Sequence, residues 1–158
     1  MQGRQAQFGH SALAALRFAE DAIGTDNVHW RFFGDLVIQA TIFEWFKVGL
    51  AADLGVQQTA GAGSSMFHGV TGYARFQFER RLALALRGEY YADPGAVISG
   101  AGQTLVEGTA TLEYKPWEML MLKLEGRHDR STAAVFSDAS GGKVNTQTLV
   151  VLGAVAYF

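Results

Sequence analysis

Residues 81–91 read RLALALRGEYY, and their pattern gives the clearest indication of the fold. Leucines and a tyrosine alternate here with small or charged residues: Leu82, Leu84, Leu86 and Tyr90 against Ala83, Ala85, Arg87 and Glu89. Successive side chains of a β-strand point to opposite faces, so a period of two predicts a strand with one apolar and one polar face.

The same alternation recurs along the chain and predicts an all-β fold of about eight antiparallel strands. It is clearest in VHWRFFGDLVIQATI (28–42), FKVGLAADLGVQ (46–57), GVTGYARFQFE (69–79), LVEGTATLEYK (105–115) and LMLKLEGRHD (120–129). Residues 12–19 and 146–158 supply the first and last strands, and the first alternates most weakly. We expect one domain over residues 1–158, with residues 1–10 as a poorly structured stub.

The connections between these strands alternate in length. Short turns are expected at residues 43–45, 79–81 and 115–118, and longer polar loops at 20–27, 57–68, 92–103 and 130–145. This layout is typical of up-and-down transmembrane barrels of the outer membrane, whose short turns face the periplasm and whose longer loops face outward. A symmetric turn at 115–118 would place Glu107 opposite Arg127, and closure would pair residues 12–18 with 149–157.

The parity of each strand predicts which side chains face the lumen and which face the lipid. The charged residues expected to face the lumen are Arg31, Asp35, Lys47, Asp53, Arg75, Arg87, Glu89, Glu107, Glu113, Lys123, Glu125 and Arg127. The aromatic girdles expected at the two membrane interfaces comprise Trp30, Phe32, Trp45, Phe78, Tyr90, Tyr114, Trp117 and Phe158.

Composition excludes several other classes of protein. A net charge of -2 provides no basic excess for nucleic acid, and the absence of cysteine removes disulfide frameworks and thiolate sites. The longest uncharged apolar stretch, residues 144–158, is shorter than the roughly 20 residues that a membrane helix needs. In a soluble lipocalin-like carrier, apolar and polar residues would also alternate along each strand, but the polar ones would lie on the outer face of the barrel. Alternation alone does not separate the two cases, so a soluble carrier stays open as an alternative.

The sequence predicts no catalytic, cofactor or metal site. The histidines His10, His29, His68 and His128 match no metal-binding spacing. Ser131 and His128 differ in parity, so they do not suggest a hydrolase. The glycine-rich pieces GAGSS, SGAGQ and SGGKVN lack the spacing of a phosphate loop and indicate flexible loops instead.

Four stretches carry a family resemblance: GYARFQF (72–78), LALALRGEYYADPGA (82–96), TLVEGTATLEYKPWEMLMLKLEGRHDRS (104–131) and TLVVLGAVAYF (148–158). Together they resemble the OmpL-like β-barrel porin family over most of residues 30–158. The resemblance implies a Gram-negative outer-membrane location and a passive pore-like role without a cofactor. Members of the family are longer, with a signal peptide, whereas residues 1–21 do not read as one. We therefore expect this chain to correspond to their C-terminal portion.

The leading functional hypothesis is a porin-type barrel that passes small polar solutes or ions through a charged lumen. The interior of an eight-stranded barrel is filled by its own side chains. A non-conducting structural or surface-binding barrel is therefore the alternative, and the soluble carrier is the second. The expected partner is outer-membrane lipid, with no nucleic acid. A homo-oligomer and the identity of the solute stay open.

Overall fold

The computed structural model describes residues 10–20, 30–59 and 63–158. Their regular secondary structure consists of ten strands: β1 (His10–Glu20), β2 (Trp30–Phe43), β3 (Phe46–Thr59), β4 (Gly63–Glu79), β5 (Leu82–Asp93), β6 (Gln103–Trp117), β7 (Leu120–Ser131), β8 (Phe136–Ser137), β9 (Lys143–Val144) and β10 (Thr146–Ala156). None of the described residues forms a helix that is long and apolar enough to cross a bilayer.

Eight of these strands form one antiparallel sheet in the order β1-β2-β3-β4-β5-β6-β7-β10. The predicted eight-stranded meander is confirmed. Strands β8 and β9 form a separate small hairpin within the connection from β7 to β10. Of the predicted stub at residues 1–10, only His10, where β1 begins, lies within the described residues, and the predicted loop at 20–27 lies outside them from residue 21 onward.

The predicted loop at residues 57–68 is wrong, because most of it belongs to two paired strands. Thr59 ends β3 and Gly63 begins β4, and their register pairs Gln57 with Ser65 and Thr59 with Gly63. The polar residues here suggested a loop, but ladder hydrogen bonds come from the backbone and tolerate polar side chains. The two strands therefore extend well beyond the apolar alternation that predicted them.

The last short turn also differs from the prediction. Strand β6 continues to Trp117, and the register of β6 and β7 shifts between Tyr114 and Trp117. Pro116 lies inside this interval and has no N–H to donate to the ladder, which explains the irregularity. As a result, Glu107 lies opposite Asp129 rather than opposite Arg127, so the predicted pairing is wrong by two residues.

The sheet is open in this structure. Its order ends at β1 on one side and at β10 on the other, and no register pair joins these two strands among the described residues. The expected pairing of residues 12–18 with 149–157 is therefore absent. Four of the eleven residues of β1 are alanine, so its alternation of apolar and polar residues is too weak to specify a partner strand at this edge. The edge strand β10 is exposed on both faces, with Leu152 81% exposed.

The two faces of the sheet differ sharply in polarity. We call the face that carries Asp53, Arg87 and Glu107 the charged face, and the face that carries Leu50, Leu86 and Leu112 the apolar face. Every buried polar side chain among the described residues lies on the charged face: Gln57, Asp93, Gln103, Glu107, Thr109, Thr111, Asp129 and Ser131. Large side chains of the apolar face are instead exposed. Because no second layer covers either face within the described strands, this contrast shows that the sheet curls around its charged face.

Candidate functional site

The register brings the twelve charged residues that the sequence assigned to the lumen onto the charged face. Directly opposite residues in an antiparallel pair point to the same side of the sheet. The pairs Asp35 with Asp53, Lys47 with Arg75, and Glu113 with Lys123 join the strands in this way. That these side chains line a lumen stays a prediction.

Glu107 is at the centre of the largest ion-pair network among the described side chains of the charged face. Its carboxylate accepts hydrogen bonds from the Arg87 guanidinium and from the Thr109 hydroxyl. The Arg127 Nη2 atom lies 3.7 Å from Glu107 Oε2 and 2.9 Å from Asp129 Oδ1. The side chains of Glu107 and Asp129 are 0% and 1% exposed. Both carboxylates are therefore satisfied by two arginines and one hydroxyl without bulk water.

Glu113 forms a second network closer to the turns. Arg75 Nη2 lies 2.8 Å from Glu113 Oε2, and Lys123 Nζ lies 3.7 Å from Glu113 Oε1. Next to it, the Thr111 hydroxyl donates a 2.8 Å hydrogen bond to Glu125. Hydrogen-bonded pairs thus cross the charged face, from Thr111 on β6 to Glu125 on the neighbouring β7 and from Arg75 on β4 over β5 to Glu113 on β6, which is how a polar barrel interior satisfies its side chains.

Three acids of the charged face stand apart from these networks. Asp35 lies directly opposite Asp53, and Glu89 lies directly opposite Glu107. Among the residues whose side chains the structure describes, which exclude Arg17 on β1, no cation lies within ion-pair distance of Asp35, Asp53 or Glu89. Like charges in directly opposite positions destabilise a sheet, so these acids contribute negative charge at a cost in stability.

A small aromatic cluster occupies the loop end of the charged face. The rings of Phe33 and Phe67 stack with their centroids 6.3 Å apart, and Gly55 lies between them in the register. The Phe67 ring fills the space above Gly55 where a side chain would otherwise stand. Sequence reasoning missed this cluster because it placed Phe67 in a loop, although continuing the parity of β4 from Thr71 would have found it.

A cavity of about 410 Å³ lies on the turn half of the charged face. Its polar lining comes from Gln39, Lys47, Tyr73, Arg75, Arg87, Thr109, Thr111, Glu113, Lys123 and Glu125. Charges of both signs and the apolar side chains of Val48, Ala74, Ala85 and Leu86 border this space, so it can contact both the polar and the apolar parts of a small solute.

The predicted girdle residues lie toward the apolar face or beside the turns. Trp30, Phe32, Tyr90 and Tyr114 have the parity of the apolar face. The other four are placed at chain ends and turns: Trp45 between β2 and β3, Phe78 before the β4–β5 turn, Trp117 at the end of β6, and Phe158 after β10. Their contact with lipid stays a prediction.

His68 and His128, the two histidines whose side chains the structure describes, lie on different strands of the sheet. His68 and His128 belong to the apolar face of β4 and of β7, where His68 lies near Tyr90 and His128 Nδ1 lies 2.9 Å from Thr148 Oγ1. His10 is in β1, and His29 lies outside the described residues. Within the described ranges, no three metal-ligating side chains form a cluster.

Two carboxylates that sequence reasoning did not select are fully buried. Asp129 pairs with Arg127, and its parity on β7 could have identified it. Asp93 ends β5 and accepts hydrogen bonds from the backbone amides of Val97, Ile98 and Ser99. Nothing in the alternation indicated Asp93, because its partners come from a loop that follows the strand.

A sheet with a buried charged face and an exposed apolar face has the polarity of a membrane β-barrel wall, and the reverse of a soluble ligand carrier. A family model described as "Putative beta-barrel porin-2, OmpL-like" matches residues 6–158. The chain therefore belongs to this family of OmpL-like β-barrel porins. Searches of the curated proteins and of the solved structures found no match.

Proposed function

We propose that this chain forms the wall of a porin in a Gram-negative outer membrane, through which small polar solutes or ions diffuse passively. The inverted polarity of the sheet carries this proposal. Charged side chains such as Glu107 and Asp129 are buried on the face around which the sheet curls, while leucines such as Leu152 are exposed. A bilayer would cover the apolar face, and water would fill the space beside the charged one.

Conduction requires a closed wall that is wider than eight strands. Unpaired backbone groups at the edges of β1 and β10 would be costly in hydrocarbon, so both edges pair with other strands in the membrane. An eight-stranded barrel has an interior that its own side chains fill. We therefore expect further strands, from additional chain or from a second copy, to complete the pore.

A non-conducting structural or surface-binding barrel is the second candidate. The observation in its favour is the pairing of Arg87, Arg127 and Arg75 with carboxylates on the charged face. If β1 and β10 pair with each other, these side chains would fill the interior and leave no continuous water path. For either candidate the role is not enzymatic, and the partner is membrane lipid rather than nucleic acid.

Single-channel recording in planar lipid bilayers tests the proposal. The folded protein should produce discrete conductance steps in potassium chloride, and a heat-unfolded sample should not. Arg75 borders the cavity, so Arg75→Gln should shift the reversal potential in a salt gradient toward cations. Arg130 has the parity of the apolar face, so Arg130→Gln should leave the reversal potential unchanged. A folded sample that inserts with both sheet edges paired and still shows no conductance would reject the porin proposal in favour of the second candidate.

A further inference from the structure

Two turns at one end of the sheet are joined into a single surface. The Lys115 backbone N–H donates a 2.8 Å hydrogen bond to the Arg81 carbonyl, which ties the end of β6 to the turn between β4 and β5. Arg80 Nη2 also lies 2.9 Å from Glu118 Oε1. Between them is a cavity of about 490 Å³, which we call the turn-end pocket, lined by Arg80, Arg81, Lys115, Trp117 and Glu118.

The turn-end pocket has an excess of cations. Its one acid, Glu118, pairs with Arg80, but both side chains are almost fully exposed, so the pair is weak. The Arg81 guanidinium has no ion-pair partner among the described residues. The Lys115 ammonium lies 5.6 Å from the ring centroid of Tyr157 and forms no ion pair with an acid in the part of the chain that the structure describes. Arg81 and Lys115 are therefore available to an external anion.

The position of the pocket indicates which anion reaches it. Trp117 is 68% exposed and lines the pocket, and the exposed Phe78 ring precedes the Arg80–Arg81 turn. Exposed aromatic side chains at strand ends mark the level of the lipid headgroups in membrane barrels. Cations at this depth face the phosphates of the leaflet on the turn side, and basic pockets at such interfaces bind anionic headgroups.

We propose that Arg81 and Lys115 bind the phosphate of an anionic phospholipid, with Trp117 packing beside its glycerol and acyl chains. A guanidinium offers two parallel N–H donors to a phosphate, and an ammonium adds a point charge. The neighbouring turn between β2 and β3 has Glu44 and Trp45 but no cation, so the site is confined to the β4–β7 side. The proposal requires that the sheet lies in a membrane, but it does not require conduction.

Quenching of Trp117 fluorescence by brominated lipids tests this site. The folded full chain with Trp30→Phe and Trp45→Phe is reconstituted with brominated phosphatidylglycerol or with brominated phosphatidylcholine. We expect the anionic lipid to bind beside Trp117 about 25-fold more tightly, because each of the two cations contributes roughly 1 kcal/mol near the surface, a factor of about five. In Arg81→Gln/Lys115→Gln this ratio should fall to about one, and in Arg81→Gln alone to an intermediate value.

The control variant Arg130→Gln/Lys143→Gln removes two cations from the loop end of the sheet and should leave the ratio unchanged. Inorganic phosphate added in excess should not displace the brominated lipid, and displacement would assign the pocket to free phosphate instead. A ratio near one before substitution, or a ratio that Arg81→Gln and the double variant both leave unchanged, would overturn the proposal. Because the readout is quenching, a non-conducting protein can still pass or fail this test.

Discussion

Arg87 on β5 and Glu107 on β6 form an ion pair along a diagonal of the sheet, not between directly opposite positions. The two residues directly opposite Glu107 are Glu89 and Asp129, so its row of the charged face is acidic on both sides. Arg87 and Arg127 belong to the adjacent cross-strand row, opposite Thr109, and their guanidiniums pair diagonally with Glu107. Because the arginines pair diagonally with these acids, three neighbouring strands can each carry an acid in the same cross-strand row.

Removing the carboxylate of Glu107 should destabilise the protein. Glu107→Ala leaves Arg87 and Arg127 without their shared partner, and breaking a buried ion pair costs about 3–5 kcal/mol. Because Arg87 is 34% exposed and can regain some hydration, we expect the free energy of unfolding to fall by about 2 kcal/mol. Urea unfolding in detergent micelles, followed by tryptophan fluorescence, measures this loss.

The matched control for Glu107 is the exposed pair of Arg80 and Glu118. Glu118→Ala should change the free energy of unfolding by less than about 1 kcal/mol, because surface ion pairs contribute little. Equal effects of Glu107→Ala and Glu118→Ala would contradict the role assigned to burial.

Asp35 and Asp53 lie directly opposite each other on β2 and β3, so neutralising one of them should stabilise the sheet. We expect Asp53→Asn to raise the free energy of unfolding by about 0.5 kcal/mol, since it removes repulsion between like charges on opposite strands. Asp35→Asn should have a similar effect, and the double variant should gain less than the sum because the repulsion is removed only once. A loss of stability in both single variants would show that the carboxylates are held by a partner.

The alternation of residues 81–91 was sufficient to predict the strand, its two faces and the side of each charge. Period-two patterning depends only on the geometry of a strand, so it transfers directly from sequence to structure. The sequence pattern did not predict which residues of neighbouring strands lie opposite each other. The partner of Glu107 depends on the irregularity at Pro116, and the parity of one strand carries no information about its neighbour's register.

The sequence pattern also did not predict where the strands end. Residues 57–59 and 63–68 are strand because their backbones pair, although their side chains are too polar to alternate clearly. The buried Asp93 was missed for a related reason, since its three amide donors follow it in a loop. For the candidate site, the sequence predicted the shared face of the charged residues but not the networks centred on Glu107 and Glu113.

Gly55 should not tolerate a side chain. The Phe67 ring lies where a Cβ on Gly55 would stand, and Phe33 stacks against the same ring. Gly55→Ala should therefore cost about 1–3 kcal/mol of stability through overpacking. Gly49 is the control on the same strand and face, because an added Cβ would meet its nearest atoms at an ordinary 3.5 Å. Urea unfolding of both variants checks this, and equal tolerance would mean that Phe67 can move aside.

The loop hairpin of β8 and β9 is held by one exposed carboxylate. Asp138 accepts a 2.7 Å hydrogen bond from the Ser140 hydroxyl, one of 2.7 Å from the Gly142 amide, and a third from the Ser140 amide. These donors, the Ser140 hydroxyl first among them, hold the pKa of Asp138 below its ordinary value of 3.8. They favour the ionised form of the carboxyl, so protonation should release the turn.

Acidification should therefore loosen this hairpin only at low pH. Because the pKa of Asp138 is lowered in the folded state, its contribution is fully present above pH 3.8 and is lost as the pH falls through the lowered pKa. The amide resonance of Gly142 in a two-dimensional NMR titration should move with a midpoint below 3.8. In Asp138→Asn the movement should disappear, since an amide does not titrate in this range. A midpoint at or above 3.8 would show that the hydrogen bonds do not favour the ionised carboxylate.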